Sequence, residues 1–195
     1  MRLTAENKRK LTSTIRTGAA KAFRQHGYDG VNLDALMKEA GLTRGAFYAH
    51  YPSKAALFAD VMREEHPLLR MLERRTETNA VGLYEQMVAV FQGYLEPANL
   101  VEVFVGCSLA ALTGDTARAD VQVKQAFTHG FQSVCTEMAR AQNQDAPRYG
   151  PPLLLATGAV RSAMAMAEPE ARAVTLTNAW RAFLQLLPHP EQEIM

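Results

Sequence analysis

The sequence predicts an all-α chain, with a three-helix N-terminal part holding a helix-turn-helix and a larger helical part behind it, about nine helices in all. Three observations lead there. Apolar residues recur at steps of three and four, no run alternates at period two, and Gly/Pro breakers fall between the stripes.

Leu11, Ile15, Ala19, Ala22 and Phe23 make the first stripe, ended by Gly27. Asn32 is suited to cap a short helix with Leu33, Leu36, Met37 and Ala40 on one face, and Gly41 stands where a left-handed residue must end it. Leu42 can plug the space between two helices. Thr43 then caps the segment Arg44–Tyr51, Pro52 stops it, and Ser53 caps a helix starting at Lys54. That helix leads from a helix-turn-helix domain, residues 1–54, into a second domain, residues 55–195. Pro67 removes a backbone donor and crowds the preceding turn, so the helix should kink or end near His66. The later stripes follow in order. Tyr84, Met87, Val88, Phe91, Tyr94 and Leu95 close at Pro97, and Val101, Phe104, Ser108, Leu109 and Leu112 come next. Val123, Phe127, Phe131, Val134, Cys135 and Met138 make another stripe. Two more are headed by Leu153 and Leu176, the last running through Trp180 and Phe183 to Leu187.

Charge is distributed unevenly. Residues 1–54 hold ten Lys/Arg and four Asp/Glu, a net +6, while the remaining residues carry −5, which suits one end facing a polyanion. No stretch approaches the roughly 20 apolar residues of a membrane span, and Met1 to Lys10 is too polar for a secretory signal, so a cytoplasmic location with no membrane partner is expected. Cys107 and Cys135, 28 residues apart, form neither a zinc framework nor a redox pair. His26, His50, His66, His129 and His189 show no ligand spacing, so neither a metal nor a cofactor is expected.

Two short helices joined by a tight glycine turn place the second of them in a DNA major groove. Its residues suit that surrounding. Arg44 can reach a guanine edge or a phosphate, and Thr43, Tyr48 and His50 can meet phosphate oxygens. Gly45 and Ala46 are small enough for close approach. Lys54 sits at a helix N-terminus, where its charge and the free backbone donors can meet one phosphate. Phe47 should point inward, and Tyr51 can do either job.

The run Gly41-Leu42-Thr43-Arg44-Gly45-Ala46-Phe47-Tyr48-Ala49-His50-Tyr51-Pro52-Ser53-Lys54 resembles the signature of the TetR/AcrR repressor family. Ala20, Phe23 and Gly27-Tyr28 match the end of that family's first helix, and the similarity extends over residues 8–62. Three departures stand out: Asn32 replaces Thr or Ser, Met37-Lys38 stands where Ile-Ala is commoner, and Tyr51 replaces Phe. The resemblance implies a regulator of transcription, a repressor, that binds a palindromic operator in double-stranded DNA as a homodimer, with Asn32 at a phosphate contact. It also implies a small-molecule effector in the second domain and no enzymatic activity.

For that effector the sequence offers soft and aromatic residues, suited to a pliable apolar pocket: Met62, His66, Tyr84, Met87, Phe91, Tyr94, Phe104, Phe127 and Phe131. Each of them also suits ordinary core. Tyr84, Phe91 and Tyr94 stand out because two hydroxyls on one helix face give a pocket polar anchors. Residues 106–112, with Cys107, are similar to a Gly-Cys motif in one branch of the family, some of whose members resemble electrophile sensors. The effector is therefore expected to be apolar or electrophilic, and Cys107 is either a reactive sensor or a small packed residue. Ala156, Gly158, Ala159, Ala163 and Ala167 are small, and Leu176, Phe183, Leu184 and Leu187 offer apolar area for a dimer seam. The competing reading is a helical ligand-binding or adaptor protein without operator recognition, which leaves Thr43, Arg44, Tyr48 and Lys54 without a purpose. A helical enzyme with Cys107 as nucleophile lacks a His or carboxylate in a recognisable motif.

Overall fold

The computed structural model describes residues 5–39, 41–140, 142 and 145–189. Ala40, expected on the apolar face of the second helix, lies outside the described residues. The described residues hold helices and no strands. They divide into two compact units, one of residues 5–66 with 111–130 and one of residues 67–110 with 131–189.

The first unit contains α1 (Ala5–Gly30), α2 (Leu33–Glu39), α3 (Arg44–Tyr48) and α4 (Lys54–Glu64). Each boundary has a local cause. Gly27 breaks the regular helix of α1 with φ 72, and Gly41 ends α2 with φ 68, both in the left-handed region that L side chains avoid. Asn32 caps α2: its Oδ1 accepts from the amides of Asp34 at 2.9 Å and Ala35 at 3.3 Å. Thr43 and Ser53 do the same for α3 and α4, accepting from Ala46 at 3.2 Å and Ala56 at 3.0 Å. Ile15, Ala19 and Phe23 of α1 bury against Leu57, Phe58, Val61 and Met62 of α4, with Leu36, Met37 and Phe47 closing the core. Phe23 and Phe58 meet edge to face, ring centroids 5.0 Å apart.

A polar lattice ties the same helices together. Arg16 of α1 donates to Glu65 at 3.1 Å and lies 3.4 Å from Asp60 of α4, and Asp60 in turn accepts from the Tyr51 hydroxyl at 2.6 Å. Leu112, Val123 and Ala126 complete this core, from the segment that holds α9 (Thr113–Arg118) and the first part of α10 (Val121–Met138).

The second unit begins with α5 (Pro67–Glu73), so the helix from Lys54 ends just short of Pro67. It continues through α6 (Ala80–Tyr94), a 3-10 turn at Pro97–Asn99, α7 (Leu100–Gly106), α8 (Ser108–Ala111), α11 (Gly150–Met164) and α12 (Pro169–Leu186). The stripe expected over Val101–Leu112 is split because Cys107 takes an extended backbone, φ −113 and ψ 108. Leu83, Met87 and Phe91 of α6, Leu153, Ala156 and Val160 of α11, and Leu176 and Phe183 of α12 are all buried. Phe91 and Phe183 lie with centroids 4.5 Å apart. Ala156, Ala163, Leu176, Phe183 and Leu187, offered above for a seam between copies, are thus consumed within their own unit.

Candidate nucleic-acid interface and the cleft of the second unit

α3 is five residues long, too short to hold itself, so its neighbours orient it. Phe47 is fully buried and anchors the helix, while Thr43 caps it and Tyr51 behind it is 6 % exposed with its hydroxyl on Asp60. Burial and the bond to Asp60 raise the Tyr51 hydroxyl well above the usual phenol range, so it stays a donor. Of the two jobs Tyr51 can do, this geometry supports the inward one. Anchored on one face, α3 presents Arg44, Gly45 and Tyr48 on the other.

Tyr48 is 52 % exposed, and Arg44 reaches Asp34 at 3.0 Å through a solvated pair. Such an exposed partner is easily exchanged for a phosphate or a base edge. A Cβ at Gly45 would meet only Thr43 Oγ1, at an ordinary 3.8 Å, so nothing in the chain itself demands glycine there.

His50 and Lys54 are tied elsewhere. His50 Nδ1 lies 2.7 Å from the Thr12 hydroxyl of α1, and Thr12 also lies 2.9 Å from Lys8 O, where its one proton can go. Partial burial and then the charge of Lys8 hold the imidazole below its ordinary range, so it is neutral at pH 7. Lys54 donates to Val31 O at 2.7 Å and sits 4.5 Å over the Tyr28 ring, and burial lowers its pKa against the pull of Asp29.

In the second unit a cleft of about 310 Å³ opens between α5, α6 and α7. Leu68, Met71 and Val103 give it apolar walls, and Tyr94, Asn99 and Glu102 supply polar groups. Cys107 is 4 % exposed in its wall, and the Tyr94 hydroxyl donates to its Sγ at 3.1 Å. Of the expected effector residues the cleft unites Tyr94 and Cys107. Met87 and Phe91 are fully buried in the core of the same unit, and Tyr84, Phe104 and Phe131 are half-buried there without lining the cleft. Met62, His66 and Phe127 belong to the first unit, where Met62 and His66 are buried and Phe127 packs on the core. Among the described residues no group of three or more His, Cys, Asp or Glu could hold a metal ion, and no helix is long and apolar enough to cross a membrane.

The family described as bacterial regulatory proteins, tetR family, matches residues 15–61, the span of α1–α4 that carries this geometry. The HTH-type transcriptional repressor AcnR of Corynebacterium efficiens is 31 % identical over 137 residues, 69 % of this chain and 66 % of that protein. The chain belongs to the TetR family. AcnR of Corynebacterium diphtheriae is 35 % identical to this TetR-family chain over 75 residues, 38 % of each protein. The matches thus span from somewhat over a third to about two thirds of these relatives' length. The fold is shared with the reduced form of Escherichia coli NemR, at a TM-score of 0.72 and 18 % identity, over 94 % of this chain and all of that one.

Three contacts of the candidate interface carry no signal in the sequence: Asp34 on Arg44, Thr12 on His50 and the Val31 carbonyl on Lys54. Each joins residues at least ten positions apart through side-chain reach, which no local pattern encodes. In the cleft, Met71, Asn99, Glu102 and Val103 likewise belong to no motif in the sequence. The one available hint is helical spacing, since Glu102 and Val103 precede Gly106 and Cys107 by one turn.

Proposed function

We propose that this chain represses transcription by binding a palindromic operator as a homodimer, and that an apolar or electrophilic small molecule releases it. Residues 1–54 read the DNA and residues 55–195 sense the effector and dimerise. The observation that carries this reading is the two-faced α3: Phe47 anchors one face, and the other offers Arg44 and Tyr48 to solvent beside a glycine that its own fold does not require. Arg44 meets a base edge or phosphate, and Thr43, Tyr48 and Asn32 meet phosphates. His50 and Tyr51 act from behind, holding α3 against α1 and α4.

A twofold dimer suits a palindrome because its recognition helices must meet half-sites ~34–36 Å apart. The seam comes from the outer faces of α11 and α12, where Leu154 (61 % exposed), Val174 (54 %) and Leu186 (47 %) remain unburied and Gly158 has open space. Effector and operator then oppose each other through two dimer states, with reciprocal coupling. The regulator works in the cytoplasm, where its DNA is.

Fluorescence anisotropy on duplexes from the chain's own upstream region, with scrambled controls and a salt series, tests the reading. Tight, salt-dependent preference for one palindrome is the expected result; equal binding to all duplexes favours an adaptor without operator recognition. The Lys54 ammonium has donors beyond the one on Val31 O and can meet a phosphate as well, so in the same assay Lys54→Ala should weaken binding to every sequence and reduce the salt slope by ~0.9. A lowered melting temperature with an unchanged slope would make Lys54 a clamp on Val31 alone.

Release takes one of two routes through the cleft: non-covalent occupation beside Tyr94, or addition of the Cys107 thiolate to an electron-poor carbon of a quinone, whose oxygen takes up the thiol proton. Cys135 supplies the control, because burial pushes its thiol up to about 11 and keeps it protonated at neutral pH. Quinone should label Cys107 and spare Cys135 in the native chain, and Cys107→Ser should stay on DNA. If the Cys107→Ser chain is released as readily as the parent, the non-covalent route stands alone.

A further inference from the structure

A groove of about 690 Å³ runs between α1 and α2 in the first unit, apart from the face of α3. Gly18, Lys21, Gln25 and His26 line it from α1, four positions at helical spacing, and Asn32 and Lys38 line it from α2 and its cap. No carboxylate is among its lining residues. Lys21 and Lys38 are exposed, one on each wall, and neither ammonium makes a hydrogen bond or ion pair with another described residue. A Cβ at Gly18 would meet nothing within 4 Å, so the wall stays open beside Lys21.

The groove adjoins the reading surface through one end of α2. Asn32 lines it, and two residues further on Asp34 holds Arg44 of α3. The oxygen of the Asn32 amide is taken up by capping, which leaves its NH2 to donate. A concave channel with a cation on each wall, neutral donors between them and no anion to repel a ligand matches a chain of phosphates.

We propose that this groove is a second contact with the DNA backbone, in which Lys21 and Lys38 neutralise phosphates of the duplex flanking the half-site. The inference rests on the operator-binding reading above. The contact is sequence-independent, since phosphates position a protein and bases specify it. It extends the footprint of each protomer beyond the bases that α3 reads.

The test is anisotropy of the full chain and of Lys21→Ala/Lys38→Ala on a fluorescein-labelled duplex of the upstream region, with short and with extended flanks, across a KCl series. The double variant should lose ~1.8 from the salt slope, about 0.9 per phosphate, and bind roughly 50-fold more weakly at 0.1 M salt. The ratio of operator to scrambled affinity should not change, and the advantage of extended flanks should disappear. Lys21→Arg/Lys38→Arg should keep the parent slope. If the double variant unfolds, Lys21→Gln and Lys38→Gln read the same quantity singly, each losing ~0.9. An unchanged slope in a chain that binds the operator overturns the groove contact alone. Absence of DNA binding by the parent at every salt overturns the operator reading and this contact with it.

Discussion

Arg75→Met is expected to lower the unfolding free energy by about 3–5 kcal/mol, the range for breaking a buried pair from one side. The Arg75 side chain is 1 % exposed, and its guanidinium serves several acceptors at once. It donates to Leu72 O at 2.9 Å and Leu83 O at 3.0 Å, and to both the carbonyl and the carboxylate of Glu137. Burial lowers its pKa and the bond to Glu137 opposes the shift. Met keeps much of the apolar stem, so the loss reports the charge and its donors rather than volume. It leaves three carbonyls without this donor and the Glu137 carboxylate with Arg140, at 3.1 Å. Urea melts monitored by circular dichroism give the number. A single-variant loss below about 1 kcal/mol would mean that water replaces the guanidinium and that the network does not hold this unit together.

Gly130→Ala is expected to destabilise the chain by about 2 kcal/mol, although alanine in a helix interior ordinarily stabilises by about 1 kcal/mol. The reason is the neighbour of Gly130 in α10. A Cβ there would overlap the His66 ring and approach Met62 O to 2.9 Å. His66 is 3 % exposed, and its Nε2 bonds Met62 O at 2.7 Å, one of the carbonyls that the end of α4 leaves without an intrahelical donor. The added methyl drives the ring off that carbonyl or forces α10 away from α4, and either shift undoes a cap that the buried helix end needs. His66→Ala/Gly130→Ala should melt well above the sum of the two single losses, since the methyl then has room. A single variant that melts at or above the parent temperature would show that the ring swings aside freely and that the cap carries no stability.

How much was legible beforehand follows the range of the interactions. Asn32, Thr43 and Ser53 were readable as caps because a cap bonds amides two or three residues away, and Gly41 because a left-handed residue is a local demand. Phe47 was readable as an inward residue from helical spacing alone. Tyr51 was not. Its position allows either face, and Asp60, which accepts its hydroxyl, is set in turn by Arg16 from α1. Lys54 looked like a phosphate ligand from its place at the start of α4; that its ammonium rests on Val31 O and over Tyr28 needed the fold. The residues expected to line an effector pocket were the least legible. A Met or aromatic stripe has the same period whether it fills a core, as Met87 and Phe91 do, or lines a cleft, as Tyr94 does.

The sequence by itself determined the helical class, the caps that open α2, α3 and α4, the glycine that ends α2 and the TetR resemblance, because these rest on backbone geometry and on bonds within one helical turn; it read α3 as running to Tyr51, whereas the helix ends at Tyr48. Only the tertiary structure decided that Arg44 is held by Asp34, that Tyr94 is bonded to Cys107 at the edge of a cleft, and that Lys21 and Lys38 face one groove. Those relations join residues 10, 13 and 17 positions apart, and a chain brings such residues together only by burying the apolar faces between them.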